Sequence, residues 1–134
     1  MENWEKQIHV NSSLEPKEGQ YAMFVGRWQP LHLAHQLLFM QAFGEGKNVL
    51  ICIRDIKPDE KNPFTAEQVK ENIQEHYKQL IETGKVKVMI IPDICSIEFG
   101  RGVGYDVIEH IPPTKVGEIS ATKIREKMRE EGKL

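Results

Sequence analysis

Three short runs of apolar residues, each bounded by polar residues, are the most regular feature of the chain. They cover residues 21–25, 48–53 and 86–91. The second of these is continuous after Asn48, and a continuous apolar run of this length is typical of a strand in a parallel sheet whose two faces are both covered, whereas Lys87 interrupts the third. A fourth strand is predicted over residues 105–111, because Pro112 and Pro113 follow it and cannot continue the pairing.

Segments with the apolar spacing of helices lie between these runs. The first begins at His32 and ends at Gly44, and the second begins with a capping box of Thr65 and Gln68 and ends at Gly84. A last helix is predicted from residue 120 onward. Strands that alternate with helices predict an open α/β sheet with right-handed crossovers, which binds ligands beyond the carboxyl ends of its strands.

Residues 1–19 show no sustained periodicity and are interpreted as a surface-lying or poorly ordered N-terminal arm. Residues 20–134 then form a single compact domain, as the length of 134 residues and the 40% of apolar residues lead us to expect.

Charge and cysteine usage narrow the class of protein. The net charge is −2 and the basic residues are interleaved with acidic ones, so nucleic acid is not expected as a partner. Cys52 and Cys95 lie beside apolar residues, which predicts two buried thiols in a reducing compartment. No apolar stretch approaches the roughly 18 residues of a membrane span, and the first residues are too charged for a secretory signal. We therefore expect a cytoplasmic protein with no membrane association.

The strongest candidate for chemistry is the segment 26–35, which reads Gly-Arg-Trp-Gln-Pro-Leu-His-Leu-Ala-His and joins the first strand to the first helix. A helix N-terminus presents unpaired backbone N–H groups and the positive end of the helix dipole, and therefore favours phosphate. His32 and His35 are three residues apart, so both imidazoles fall on one face of the first turn. The segment therefore predicts a phosphate site.

This segment resembles the opening signature of the nucleotidylyltransferase superfamily, in particular Gly-Arg-Phe-Gln-Pro-x-His-x-Gly-His of archaeal-type nicotinamide-nucleotide enzymes. Residues 119–125, Ile-Ser-Ala-Thr-Lys-Ile-Arg, are similar to the second signature, Ile-Ser-(Ser/Thr)-Thr-x-Ile-(Arg/Lys). The resemblance covers most of residues 21–131 and implies a Rossmann-like nucleotidylyltransferase domain. It also implies attack by an acceptor phosphate on the α-phosphorus of a nucleoside triphosphate, with Mg²⁺ sharing the leaving charge.

The resemblance implies roles for residues that match its signatures, and the positions of Asp55, Lys57, Lys61 and Arg101 in the predicted loops add them as candidates, since base and acceptor contacts cannot be carried over from the family. His32, His35 and Arg125 are the candidate catalytic groups, which stabilise charge on the phosphates. Asp55 and Arg101 are candidates for contacting the base or the acceptor. The candidates for holding the nucleotide and its phosphates are Gly26, Arg27, Trp28, Lys57, Lys61, Ser120, Ala121 and Thr122.

Several alternatives stay open at the level of sequence. The compact chain and its terminal signature slightly favour CTP over ATP, with a small phosphorylated acceptor. The matches in segments 26–30 and 62–65 favour a nicotinamide-nucleotide adenylyltransferase. Ala34 replaces the glycine of His-x-Gly-His, which admits a noncatalytic nucleotide-binding module. An unrelated α/β interaction domain, with purely structural histidines, is the remaining interpretation. Similarity to compact relatives suggests a homodimer.

Overall fold

The computed structural model describes residues 3–10, 19–102, 104–118 and 121–133. The elements follow one another along the chain as β1 (Glu5–Val10), β2 (Tyr21–Gly26), α1 (Leu33–Phe43), β3 (Asn48–Asp55), α2 (Ala66–His76), α3 (Lys78–Glu82), β4 (Val86–Pro92), β5 (Val107–Ile111), α4 (Thr114–Gly117) and α5 (Ala121–Glu130).

A three-stranded parallel sheet forms the centre of the fold. Its order is β2-β3-β4, with Gly26 opposite Ile53 and Asp55 opposite Pro92 at its carboxyl end. The apolar runs predicted these three strands to within two residues at either end, and the open α/β sheet flanked by helices is confirmed. All loops that leave these strands for helices start at the same edge of the sheet, where ligands of such folds bind.

The core lies between one face of this sheet and the helices α1 and α2. Alternate residues of the strands, such as Ile51 and Ile53, form one buried cluster with Phe39 from α1 and with Val69 and Ile73 from α2. Three strands in sequential order joined by crossovers of one hand place both connecting helices on the same face. The helices therefore seal one side of the sheet and fix the direction in which α1 begins.

The other face of the sheet differs from expectation. The continuous apolar run of β3 predicted cover on both faces, but Tyr21, Met23 and Met89 point the other way and are 38%, 59% and 45% exposed. Among the strand residues that point to this face, only Cys52, at its centre, is fully buried. A buried central strand alone produces the unbroken apolar run, whether or not helices cover both sides.

A second, two-stranded sheet was not predicted. β1 pairs antiparallel with β5, so part of the predicted arm is a strand and the fourth predicted strand does not join the parallel sheet. Five of the six residues of β1 are exposed, which explains why the segment has no apolar periodicity. The pairing depends on backbone hydrogen bonds to a distant segment, which leave no pattern in the local sequence.

The predicted capping box starts α2. Thr65 Oγ1 accepts a hydrogen bond from the backbone N–H of Gln68 at 3.1 Å, and the side chain of Gln68 accepts one from the N–H of Thr65 at 2.8 Å. The predicted single helix is divided at Tyr77, whose backbone (φ −106°, ψ 23°) leaves the α conformation while its ring stays buried.

Thr65→Ala removes the cap and leaves the N–H of Gln68 without its partner. We expect it to lower the free energy of unfolding by about 1 kcal/mol, measured by urea denaturation. Thr83→Ala, at an exposed hydroxyl that bonds the carbonyl oxygen of Leu80 at the end of α3, is the control. Equal stability of Thr65→Ala and the wild type would contradict the assigned cap.

The two cysteines have different environments. Cys52 is buried as predicted, and burial raises the pKa of its thiol. Cys95 is exposed, contrary to prediction, because the segment after β4 leaves the core at that point. Within the described residues, no helix is both long and apolar enough to cross a lipid bilayer.

Candidate active site

The segment after β2 is held tightly against the end of the sheet. Trp28 has a left-handed backbone (φ 51°), is 6% exposed, and donates a hydrogen bond from Nε1 to the carbonyl oxygen of Cys52 at 3.0 Å. A Cβ on Gly26 would lie 2.9 Å from the Trp28 ring, so only glycine fits there. Trp28, a candidate for the nucleotide site, was also expected to pack beneath this loop, and it does so with its one polar side-chain atom bonded inside the protein.

The two histidines form a stacked pair at the start of α1. Their ring centroids are 3.6 Å apart with an angle of 17° between the planes. The backbone N–H of His32, the N-cap residue, donates to Nδ1 of His35 at 3.2 Å. The His32 side chain occupies the reciprocal position of a capping box, although its buried Nδ1 makes no hydrogen bond with a described residue. Both imidazoles therefore lie over the first turn, where the spacing predicted them.

Burial disfavours the charged form of both imidazoles. Burial lowers the pKa of His35 to about 3, with the neighbouring His32 as a second cause, and burial also lowers the pKa of His32. Because Nδ1 of His35 accepts a hydrogen bond, the proton of the neutral ring resides on Nε2. His35 thus offers one neutral N–H donor across the physiological pH range.

Stability should therefore depend on pH through His35. Its pKa falls from an ordinary value of 6.5 to about 3 in the folded chain, so at intermediate pH the unfolded chain binds a proton that the folded chain does not. The contribution of this neutral ring to the free energy of unfolding is then fully retained above pH 6.5 and falls as the pH is lowered toward 3.

Urea denaturation from pH 7 down to about pH 4 measures this dependence. We expect His35→Gln to reduce the slope of stability against pH, whereas His76→Gln, on the exposed surface of α2, leaves it unchanged. A slope that is the same in His35→Gln and the wild type would show that another group titrates.

Gln29 joins three segments of the chain around these histidines. Its side chain is 3% exposed and bonds both backbone groups of Phe64, donating from Nε2 and accepting at Oε1, each at 2.9 Å. Its carbonyl oxygen accepts a hydrogen bond from Nη1 of Arg125 at 2.6 Å. The start of α2 and the first turns of α5 are thereby attached to the segment that carries the histidines.

The structure thus brings Thr122 and Arg125 of the second signature beside the first signature at the carboxyl end of the parallel sheet. Arg125 is 7% exposed and also donates from Nη2 to Oγ1 of Thr122 at 3.3 Å. Burial lowers the pKa of Arg125. The positive charges of Arg129 and Arg27 lower it further, and the negative charge of Asp59 raises it. These charges interact across the same small region, so α5 adds positive charge to the crevice.

The loop between β3 and α2 forms a third wall. Asp59 Oδ1 accepts hydrogen bonds from the backbone N–H groups of Lys61 and Asn62, at 2.9 and 2.7 Å. The bond from Asn62 is the main reason that the pKa of Asp59 lies below its usual range, with Lys61 and Arg27 as further causes. Arg129 also bonds the carbonyl oxygen of Glu60, so α5 and this loop pack together.

The remaining predicted residues have varied positions. Arg27, Lys57 and Lys61 are exposed on the loops after β2 and β3, and Asp55 is exposed at the end of β3. Arg101 lies in an exposed turn after β4. Ser120 lies outside the described residues, and Ala121 begins α5.

Sequence reasoning missed Gln29, Asp59 and Asn62, which hold the loops in place. Gln29 stands inside the quoted signature, and the Asp59 turn has the Pro-Asp start typical of such loops. Among the described residues, no three His, Cys, Asp or Glu side chains are close enough to hold a metal ion.

Comparison with known proteins gives partial matches. No family model matches the sequence. The nicotinamide/nicotinic acid mononucleotide adenylyltransferase of Acinetobacter baylyi is 38% identical over 50 residues, which are 36% of this chain and 27% of that protein. The chain thus spans about a quarter of the length of the curated relative it matches.

A solved structure is also similar in part. It is a bifunctional NMN adenylyltransferase/ADP ribose pyrophosphatase from Francisella tularensis, complexed with AMP and a manganese ion, with a TM-score of 0.48 and 30% identity. The similarity covers 56% of this chain and 23% of that one. The sequence match supports the resemblance to the nucleotidylyltransferase superfamily that the two signatures carry.

Proposed function

We propose that this chain transfers the adenylyl group of ATP to the phosphate of a mononucleotide and releases pyrophosphate. In this reaction an acceptor phosphate oxygen attacks the α-phosphorus, and the bond to the bridging oxygen breaks as pyrophosphate leaves. The name of the Acinetobacter relative favours adenylyl transfer over the CTP reaction that compactness suggested. Transfer of a cytidylyl group from CTP to a small phosphorylated acceptor is the alternative reaction.

One observation carries the proposal: the hydrogen bond between Arg125 and the carbonyl oxygen of Gln29 at 2.6 Å. It holds the first turns of α5 beside the start of α1, so that both can contact one triphosphate. Phosphate groups favour helix N-termini and positive charge, and this crevice combines α1 with Arg27 and Arg129.

His35 would act as a neutral hydrogen-bond donor. Its Nε2–H can bond an oxygen of the α-phosphate or the leaving pyrophosphate as charge develops there. A neutral imidazole with a pKa of about 3 does not take up a second proton near neutral pH. In the resting chain His35 is therefore a donor that carries one proton.

The phosphates would be bound by the exposed cations around the crevice, Arg27, Lys57 and Lys61, together with the hydroxyl of Thr122. A divalent ion fits this site as part of the incoming triphosphate, because Asp55 offers a single exposed carboxylate and Mg²⁺ is commonly bound by few carboxylates plus substrate phosphates. When bound, such an ion neutralises charge on the leaving pyrophosphate.

The test is pyrophosphate release with ATP and CTP in parallel. Each triphosphate, with magnesium chloride, is offered nicotinamide mononucleotide, nicotinic acid mononucleotide or a panel of phosphorylated alcohols. We expect ATP with a mononucleotide to react. Reaction of CTP with a phosphorylated alcohol would replace the proposal with cytidylyl transfer.

Two further outcomes overturn the proposal. Binding of ATP without pyrophosphate release from any pair would indicate the noncatalytic module that Ala34 suggested. The absence of any thermal shift with magnesium and triphosphate would indicate an α/β interaction domain. The cytoplasmic location and the homodimer also remain proposals. Analytical ultracentrifugation of the purified chain measures its oligomeric state and so tests the homodimer.

A further inference from the structure

Trp28 stands where the archaeal-type signature has phenylalanine, and its environment is unusually constrained. Its ring is anchored at one end by the hydrogen bond from Nε1 to the carbonyl oxygen of Cys52 at 3.0 Å. At the other side it packs on Phe39 with ring centroids 5.3 Å apart. The missing Cβ of Gly26 leaves the space that the indole occupies.

The same ring contacts His35 edge to face. The centroids are 4.8 Å apart and the planes are at 85°. His35 in turn stacks on His32 and accepts the hydrogen bond of its backbone N–H. A chain of contacts thus leads from the central strand of the sheet, through the indole, to the imidazole that donates to phosphate in the proposed reaction.

We propose that Trp28 is a positioning residue that acts through His35, holding the imidazole with Nδ1 on the backbone N–H of His32 and the proton on Nε2. This inference rests on the proposed function for its catalytic consequence. Its structural part, the orientation and tautomer of His35, holds for the resting protein. Trp28 itself need not touch the substrate, because its only side-chain donor is bonded to Cys52.

The structural part is tested by ¹⁵N NMR of histidine-labelled protein, with His35→Gln to assign the signals. We expect the wild type to show His35 as the Nε2-protonated tautomer. Trp28→Phe keeps an aromatic edge and should preserve this tautomer. Trp28→Leu removes the aromatic ring, so both tautomers should be populated.

The catalytic part is tested by steady-state kinetics of the same variants. We expect Trp28→Leu to lower kcat about tenfold with KM for the triphosphate changed less than about twofold, because orientation is lost while binding is kept. Trp28→Phe should recover kcat to within about threefold of the wild type. Gly26→Ala, which pushes the indole without removing it, should resemble Trp28→Leu in the NMR spectrum.

Tyr77→Leu is the matched control, because it removes another buried core ring, whose aromatic contacts are with Phe39 and His76. The proposal is overturned if Trp28→Leu and Tyr77→Leu have the same His35 tautomer and the same kcat. Should Trp28→Leu fail to fold, an unchanged His35 signal in Gly26→Ala overturns it equally. A wild type without activity refutes the proposed function but leaves the NMR test intact.

Discussion

His35→Ala should slow pyrophosphate release by about 10² to 10³ fold, the loss expected when one preorganised donor to developing charge is removed. The donor is the Nε2–H of a neutral ring, which is fixed by the hydrogen bond that its Nδ1 accepts. Because the charge on the phosphates grows only toward the transition state, the loss should appear in kcat. KM for the triphosphate should change less.

The measurement compares kcat and KM for His35→Ala with those for His76→Ala, whose side chain is exposed on α2. The alanine variant also loses an acceptor for the N-cap, which costs about 1 kcal/mol of stability, so folding is checked by thermal denaturation. A folded His35→Ala protein with wild-type kcat would remove His35 from the reaction.

Gln29→Leu is the second substitution for which we expect a large effect, a loss of both stability and activity. Leucine leaves the N–H and the carbonyl of Phe64 without partners in a region where Gln29 is 3% exposed. Each unsatisfied buried group costs about 1 to 3 kcal/mol, so we expect the loss of both partners to lower the free energy of unfolding by about 2 to 6 kcal/mol. Activity should fall too, because these bonds align the loops around the histidines.

Gln29→Glu separates the two hydrogen bonds. It keeps an acceptor for the N–H of Phe64 but places its second carboxyl oxygen against the carbonyl oxygen of Phe64, so it should also destabilise the protein. Gln41→Leu is the control, since this glutamine bonds the carbonyl oxygen of Leu37 within α1. Equal urea midpoints for the leucine variants at positions 29 and 41 would refute the role of Gln29 in joining the segments.

The parts of the fold that were predictable depend on local chemistry. β2, β3 and β4 are apolar runs between turn residues, and the helix starts have their own caps, such as Thr65 with Gln68. The pairing of His32 and His35 on one helical turn also follows from spacing alone. Such features depend on residues within a few positions of each other, so they are readable from sequence.

The parts that were not predictable depend on distant residues. The hydrogen bonds of Gln29 join it to Phe64 and Arg125, which are 35 and 96 positions away. The hydrogen bond from Trp28 to the backbone carbonyl oxygen of Cys52 is also recorded by no side-chain pattern. The exposed position of Cys95 likewise depends on where the chain leaves the sheet.

The β1 and β5 ribbon has a consequence for the order of folding. Its strands close a loop that is 100 residues long at the His9 and Glu109 pair, whereas the parallel sheet joins neighbouring segments. Loop-closure entropy grows with length, and the ribbon buries little apolar surface in return. We therefore expect the ribbon to form last during refolding and to exchange its amide hydrogens first, with the crevice around the two histidines already assembled before these two distant strands meet.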